Sequence, residues 1–292
     1  MASDASLSLP ALHGIAPRRG TAGLERAGAW NSLFAGLVAV GFINGSTHRM
    51  LAAFDENPAG ALLNGFGLSV IVWAALAVAL ALLSTAPAAP LGRRDWLVAG
   101  TALVLFTIPV GPLAWLGLML VGAYLAATSA AGTRARRAGL IVLALIVPMF
   151  WSRVVFSLFG DALLRFDALL VSLAIGARRT GNALAFADGW GYYWIAPPCS
   201  SVANISLAVL TYILVSNLSD RRAKIPLFYA VLAVVSVVAI NVGRMAITGI
   251  SRAHYDLMHG PYGAAATSAL SLAAMMGICL IGWRRSLAHA TA

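Results

Sequence analysis

A chain of 292 residues with 60% hydrophobic residues, 10% charged residues and a mean hydropathy of +0.85 is not a soluble globule, because soluble domains carry about 25% charge. The net charge of +10 would suggest nucleic acid in a soluble protein. Here arginines gathered at one side of a membrane explain it, nucleic acid is not expected as a partner, and two cysteines exclude a disulfide scaffold.

In chain order, residues 1–28 are polar, small and interrupted by Arg18, Arg19 and Arg26. No apolar core follows a basic start there, so the segment reads as a disordered cytoplasmic tail and not a signal peptide. Residues 29–292 read as a single transmembrane domain. Eight apolar spans follow one another, at roughly 29–42, 62–84, 96–108, 113–128, 138–159, 198–217, 225–250 and 264–283. Most approach the length of about 20 residues that crosses a bilayer core. Asp55-Glu56-Asn57-Pro58, Pro87-Ala88-Ala89-Pro90, Pro109-Val110-Gly111-Pro112 and Ser219-Asp220-Arg221-Arg222 punctuate them. No repeat and no strand-like alternation is evident. The expected fold is all-α and integral to the membrane, a bundle of about eight transmembrane helices.

Charge placement orients this bundle. With a cytoplasmic amino terminus, the inside segments hold 13 of the 20 basic residues, concentrated at 18–26, 93–94, 134–137, 221–224 and 284–285. This is the positive-inside pattern, and it places both termini in the cytoplasm of a cell with a cytoplasmic or inner membrane. The long outer segment, 160–197, precedes the sixth span. Arg165 and Asp167 lie two apart within its apolar run 163–171, which suggests an interfacial helix. The aromatic cluster Gly189-Trp190-Gly191-Tyr192-Tyr193-Trp194 suits either a headgroup belt or substrate contact.

Cys199 follows Ala196-Pro197-Pro198 and opens the sixth span. Proline fits a first helical turn, and the positive helix end there favours a thiolate. The alternative is a small buried hydrophobe, which is the reading for Cys279 within Gly277-Ile278-Cys279-Leu280-Ile281. Topology sets the two sulfurs near opposite faces, too far for a disulfide. Arg244 lies late in the seventh span, where a charge is costly and functional by default, unless it snorkels outward. Asn241 shares its helix face. His254 and His259 follow in the outer loop. A thiol nucleophile, an imidazole and a cation are the parts of an acyl-transfer site. No His/Asp/Glu set stands at ligand spacing, so neither metal nor cofactor is expected.

Pro198-Cys199-Ser200-Ser201, then Asn241-Val242-Gly243-Arg244, then His259 ahead of Gly263, resemble the three signature blocks of the exosortase/archaeosortase family of membrane cysteine transpeptidases. Gly176-Ala177-Arg178-Arg179-Thr180-Gly181-Asn182 is similar to the lead-in to the cysteine block. The resemblance covers about residues 145–283, the expected catalytic part. It implies Cys199 as nucleophile, Arg244 as oxyanion or substrate-carboxyl partner and His259 as general base. Asn241, Ser200, Ser201, His254 and Arg179 are then supporting or substrate-binding residues. Ser201 stands where the family usually has glycine, which implies a subgroup with another target signal. The implied substrates are membrane-anchored proteins with a carboxy-terminal sorting signal of the PEP-CTERM type, cleaved on the outer face. The competing expectation is a transporter or polysaccharide-export component that uses Arg244 to hold an anion. Such a fold would show paired broken helices in two related halves, and the sequence has no such pairing.

Overall fold

The computed structural model describes residues 21–87, 89–218 and 225–291. Residues 1–20 of the expected tail and the basic loop around Arg221, Arg222 and Lys224 lie outside the described residues. The rest is predominantly helical. Helix α1 runs Thr21–Glu56, α2 Pro58–Leu63, α3 Val70–Ser84, α4 Arg93–Thr107 and α5 Gly111–Thr128. Then come α6, Arg134–Ile146, and α7, Ser152–Ile175, joined by a π-helical turn at Val147–Trp151. Helices α8 (Val202–Ser216), α9 (Leu227–Thr248), α10 (Arg252–His259) and α11 (Pro261–Thr291) complete the order.

Among the described residues, four helical segments are long and apolar enough to cross a membrane: Gly111–Thr128, Arg134–Ile175, Leu227–Thr248 and Pro261–Ala288. Two shorter apolar helices, Val70–Ser84 and Val202–Ser216, accompany them. By this measure the expected eight spans are not reproduced. The first, 29–42, is the middle of a 36-residue helix that also includes residues 21–28 of the expected tail. The third, 96–108, lies in a 15-residue helix whose first turn holds Arg93, Arg94 and Asp95.

The outer segment differs most from expectation. No break occurs near Gly160. Instead α7 continues α6 through the π-helical turn, giving one continuous helical segment of 42 residues, Arg134–Ile175. At 1.5 Å per residue that is roughly 63 Å, about twice a bilayer core, and 163–171 lies within this continuous helix where a separate helix was expected. Pro148 has no N–H for the helical ladder, and the wide turn forms around it.

A small antiparallel sheet then appears where the sequence offered no strand signal. Its strands, β1 (Arg179–Thr180), β2 (Ala183–Ala185) and β3 (Tyr192–Trp194), lie in the order β1-β2-β3. Strand β3 alternates exposed, buried, exposed, so Tyr193 faces inward while Tyr192 and Trp194 face out. Three residues are too short for that period to stand out in a sequence.

Two cores result. The larger joins Phe34 and Phe42 of α1, Ala75 and Leu83 of α3, Leu118 and Leu125 of α5, Ile141 of α6 and Leu210 of α8 with Met275 and Cys279 of α11. Gly139 lets α5 and α6 meet backbone to backbone, because a Cβ there would stand 2.7 Å from the Ala126 nitrogen and 2.8 Å from the Gly122 oxygen. Asp95 is buried and satisfied, accepting from Trp30 Nε1 at 3.2 Å, Tyr124 Oη at 2.8 Å and the Gly92 N–H at 2.7 Å. It thereby ties α1, α4 and α5 together without an unpaired buried acid. The smaller core gathers Ala168 and Val171 of α7, Leu184 and Tyr193 of the sheet, Ile195, Cys199 and Met245 of α9.

Candidate active site

The smaller core exists because the α7 residues Leu164, Asp167, Ala168 and Val171 share one helical face. Leu164 packs against that core, and Asp167, Ala168 and Val171 are buried. Asp161 and Arg165 lie off that face and pair with one another at 2.9 Å in solvent. The loop that follows β3 is pinned on this core. Ile195 N–H donates to Asn182 O at 3.0 Å, and Asn182 Nδ2 donates back to Ile195 O at 3.1 Å. Pro197 and Pro198 then open a single 3-10 turn, Pro197–Cys199, before α8 begins at Val202. Cys199 therefore precedes its helix and does not occupy the first turn, and it is buried at 6% exposure. Ser200 and Ser201 are buried with it.

Two side chains from different helices, α7 and α9, fix this loop. Asp167 Oδ2 accepts from Ser200 Oγ at 2.8 Å and from the Ser201 N–H at 3.0 Å. Asn241 Nδ2 donates to Cys199 O at 2.9 Å and to Ser201 Oγ at 3.0 Å. Asn241 thus holds the cysteine loop and is not the partner of Arg244 that its helix face suggested. The Ser201 hydroxyl has work that a glycine could not do. Both anchors are buried, where an unsatisfied polar group costs about 1–3 kcal/mol.

His259 ends α10, and its Nε2 stands 3.5 Å from Cys199 Sγ. Its Nδ1 is 3.0 Å from Tyr255 O. A carbonyl can only accept, so Nδ1 carries the proton, and in the neutral ring Nε2 offers its lone pair to the thiol. The Tyr255 ring stacks on the imidazole at 4.2 Å between centroids and 19° between planes, which fixes the ring plane. Arg244 Nη2 donates to Met258 O at 3.3 Å, one residue before His259. Arg244 Nε is buried with no hydrogen-bond partner among the described residues.

The remaining candidates lie elsewhere. His254 Nδ1 is 2.8 Å from Ser251 Oγ, within the N-cap of α10; this stretch is a helix, where a loop was expected. Arg179 is exposed on β1 and donates to Gly181 O at 2.8 Å in its own turn. Among the described residues, neither side chain hydrogen-bonds to the cysteine loop. Cys279 is fully buried in the larger core, and both cysteines are free. Beneath the site, Tyr193 Oη donates to Met245 O at 2.9 Å, and burial pushes its phenol up to about 12. Gly249 makes room for this ring, since a Cβ there would meet Tyr193 Oη at 2.5 Å.

Asp167 was missed by sequence reasoning, and a signal for it was present. Within 163–171, the 3.6-residue period puts Asp167 on the apolar face and Arg165 on the polar one. No family model matches this chain, and no curated protein or solved structure was found to be similar to it.

Proposed function

We propose that this protein is a membrane-embedded cysteine peptidase or transpeptidase. It acts on membrane-anchored proteins, cutting a carboxy-terminal sorting signal on the extracytoplasmic side. The observation that carries the reading is the Cys199–His259 pair at 3.5 Å, with the imidazole tautomer fixed by Tyr255 O. The order of the cysteine, Asn-x-x-Arg and histidine blocks supports membership of the exosortase/archaeosortase family.

In this mechanism His259 Nε2 takes the proton from Cys199 Sγ, and the sulfur attacks the scissile carbonyl carbon. The electron pair moves to the carbonyl oxygen, where the Arg244 guanidinium, with its Nε unpartnered, stabilises the charge. Collapse breaks the C–N bond, and His259 returns the proton to the leaving amine. His259 then takes a proton from an acceptor nucleophile as it attacks the thioester carbonyl; the C–S bond breaks, the acyl group passes to the acceptor, and the His259 proton restores the Cys199 thiol. Asp167 and Asn241 are positioning residues that hold the sulfur still.

The full topology belongs to the same proposal: about eight spans in a cytoplasmic or inner membrane, both termini inside. Helix α8 has 15 residues and rises about 22 Å, less than a bilayer core of about 30 Å. On this reading the cysteine loop is recessed below the outer surface, where a substrate's own transmembrane segment delivers it. The test is Cys199→Ala in the native membrane. It is expected to insert normally and to leave exported proteins with their carboxy-terminal helices uncut. Unchanged processing would overturn the proposal and return the transporter reading.

A further inference from the structure

The small sheet carries an unfilled hydrogen-bond ladder that leads to the nucleophile. At the two ends of the β2–β3 pairing, Phe186 N–H donates to Gly191 O at 2.9 Å and Ile195 N–H donates to Asn182 O at 3.0 Å. Leu184 stands opposite Tyr193 between them. Bonded and non-bonded pairs alternate along an antiparallel ladder, so Gly191, Tyr193 and Ile195 aim their backbone groups at β2. Tyr192 and Trp194 therefore turn N–H and C=O the other way, off the edge of the sheet. Ala196 continues the row in extended conformation (φ −89°, ψ 164°), with its N–H on that same side and its carbonyl accepting from Cys199 N–H at 2.8 Å. The Tyr192 and Trp194 backbone groups and the Ala196 N–H have no hydrogen-bond partner among the described residues. Pro197 and Pro198 have no N–H to offer, so the row ends immediately before Cys199.

Proteins blunt an idle edge with lysine or proline, and residues 192–196 contain neither. The edge is also held still, because Tyr193 is tied to Met245 O and Ile195 is tied twice to Asn182. A rigid open edge pairs with an extended peptide, main chain to main chain. Resting on the peptidase reading, we propose that the substrate segment just before the scissile bond adds to β3 as a fourth strand. On that reading α8 leads inward from the cysteine loop, and the substrate's transmembrane helix follows its scissile bond. The segment ahead of the bond then runs parallel to β3 and delivers the scissile carbonyl to Cys199 Sγ at the ladder's end. Only every second substrate residue turns its backbone toward β3. A second copy of this chain is the competing occupant. A three-residue edge falls far short of the interface of about 1,200 Å² that a stable pair needs, whereas a substrate anchored in the same membrane is already concentrated at the site.

The experiment uses the full chain in detergent with Cys279→Ala, and the probe is a mixture of acetyl-pentapeptide chloromethyl ketones randomised at every position without Cys or Pro. The Cys199 sulfur displaces chloride and forms a thioether, which mass spectrometry follows and which needs neither turnover nor the native substrate. The mixture is expected to label Cys199 at least about tenfold faster than acetyl-alanine chloromethyl ketone, the advantage that a few net backbone hydrogen bonds give. Of two mixtures N-methylated at alternate positions in opposite registers, one is expected to lose that advantage and the other to keep it. Trp194→Pro removes an edge N–H and leaves the β2 ladder intact, so it should also lose the advantage, while Trp194→Ala keeps it. Both variants should react with acetyl-alanine chloromethyl ketone at the rate of the parent chain, which shows the cysteine loop undisturbed. Equal behaviour of the two N-methylated mixtures on the parent chain would overturn the proposal, whatever the variants do. So would a full advantage in Trp194→Pro, and so would a dimer that Trp194→Pro splits, which would give the edge to a second copy. Normal processing by Cys199→Ala beside an intact peptide advantage would sink the peptidase reading alone and leave β3 a peptide-binding edge.

Discussion

Asp167 offers the sharpest perturbation, because one of its oxygens holds two buried donors of the cysteine loop. Asp167→Ala leaves Ser200 Oγ–H and Ser201 N–H without partners. At about 1–3 kcal/mol for each buried donor, the loop loses about 2–6 kcal/mol of anchoring. Each 1.4 kcal/mol is about tenfold in an equilibrium, so the local opening that exposes Cys199 should rise by at least about 25-fold. Both bonds converge on the same oxygen, so the amide oxygen of Asp167→Asn can accept both, and that variant should stay near wild type. The assay is the rate of maleimide alkylation at Cys199 in a Cys279→Ala background. The thiol is only 6% exposed, so the wild-type rate reports loop opening. An Asp167→Ala rate equal to wild type would refute the anchoring argument, and Asp167→Asn behaving like Asp167→Ala would refute its geometry.

The other outcomes separate the site residues from one another. His259→Ala should lower the processing rate by at least about two orders of magnitude, while His254→Ala, confined to a helix cap, should change it little; the reverse ranking would discard the assignment. Arg244→Lys should insert normally yet lose roughly 100- to 1000-fold in rate, as removal of an oxyanion donor does, because a point charge cannot replace the guanidinium fork. Near-wild-type turnover would leave Arg244 as an anchor. Tyr193 links stability to alkaline pH. Its folded value of about 12 lies above its ordinary 10, so its contribution is complete below pH 10 and is lost as pH rises toward 12. Melting curves in detergent from pH 9 to 12 should therefore fall more steeply for wild type than for Tyr193→Phe, and parallel curves would show that the buried phenol plays no such part.

Much of the helical framework can be read from the sequence, since runs such as 113–128 and 225–250 admit only helices in a chain this apolar. Where those helices stop is less legible. The α6–α7 run continues through Pro148 because the π-helical turn absorbs the missing N–H, an accommodation that hydropathy does not report. The three short strands were hidden because a period of two needs more than three residues to be seen. Cys199, Arg244 and His259 were each readable as costly or reactive groups near span ends, and the structure brings the first and last together. The roles of Asp167 and Asn241 were not readable as contacts. Their partners are backbone and hydroxyl groups far along the chain, and sequence spacing on one helix says nothing about those.

The central claim is that Cys199 forms an acyl intermediate with an exported protein. Rapidly quenched native membranes should yield a covalent adduct between this chain and a membrane-anchored protein. Mass spectrometry should locate it at Cys199, hydroxylamine should release it as a thioester requires, and Cys199→Ala should abolish it. An adduct that survives in Cys199→Ala, or substrate processing that proceeds in that variant at the wild-type rate, would contradict the account.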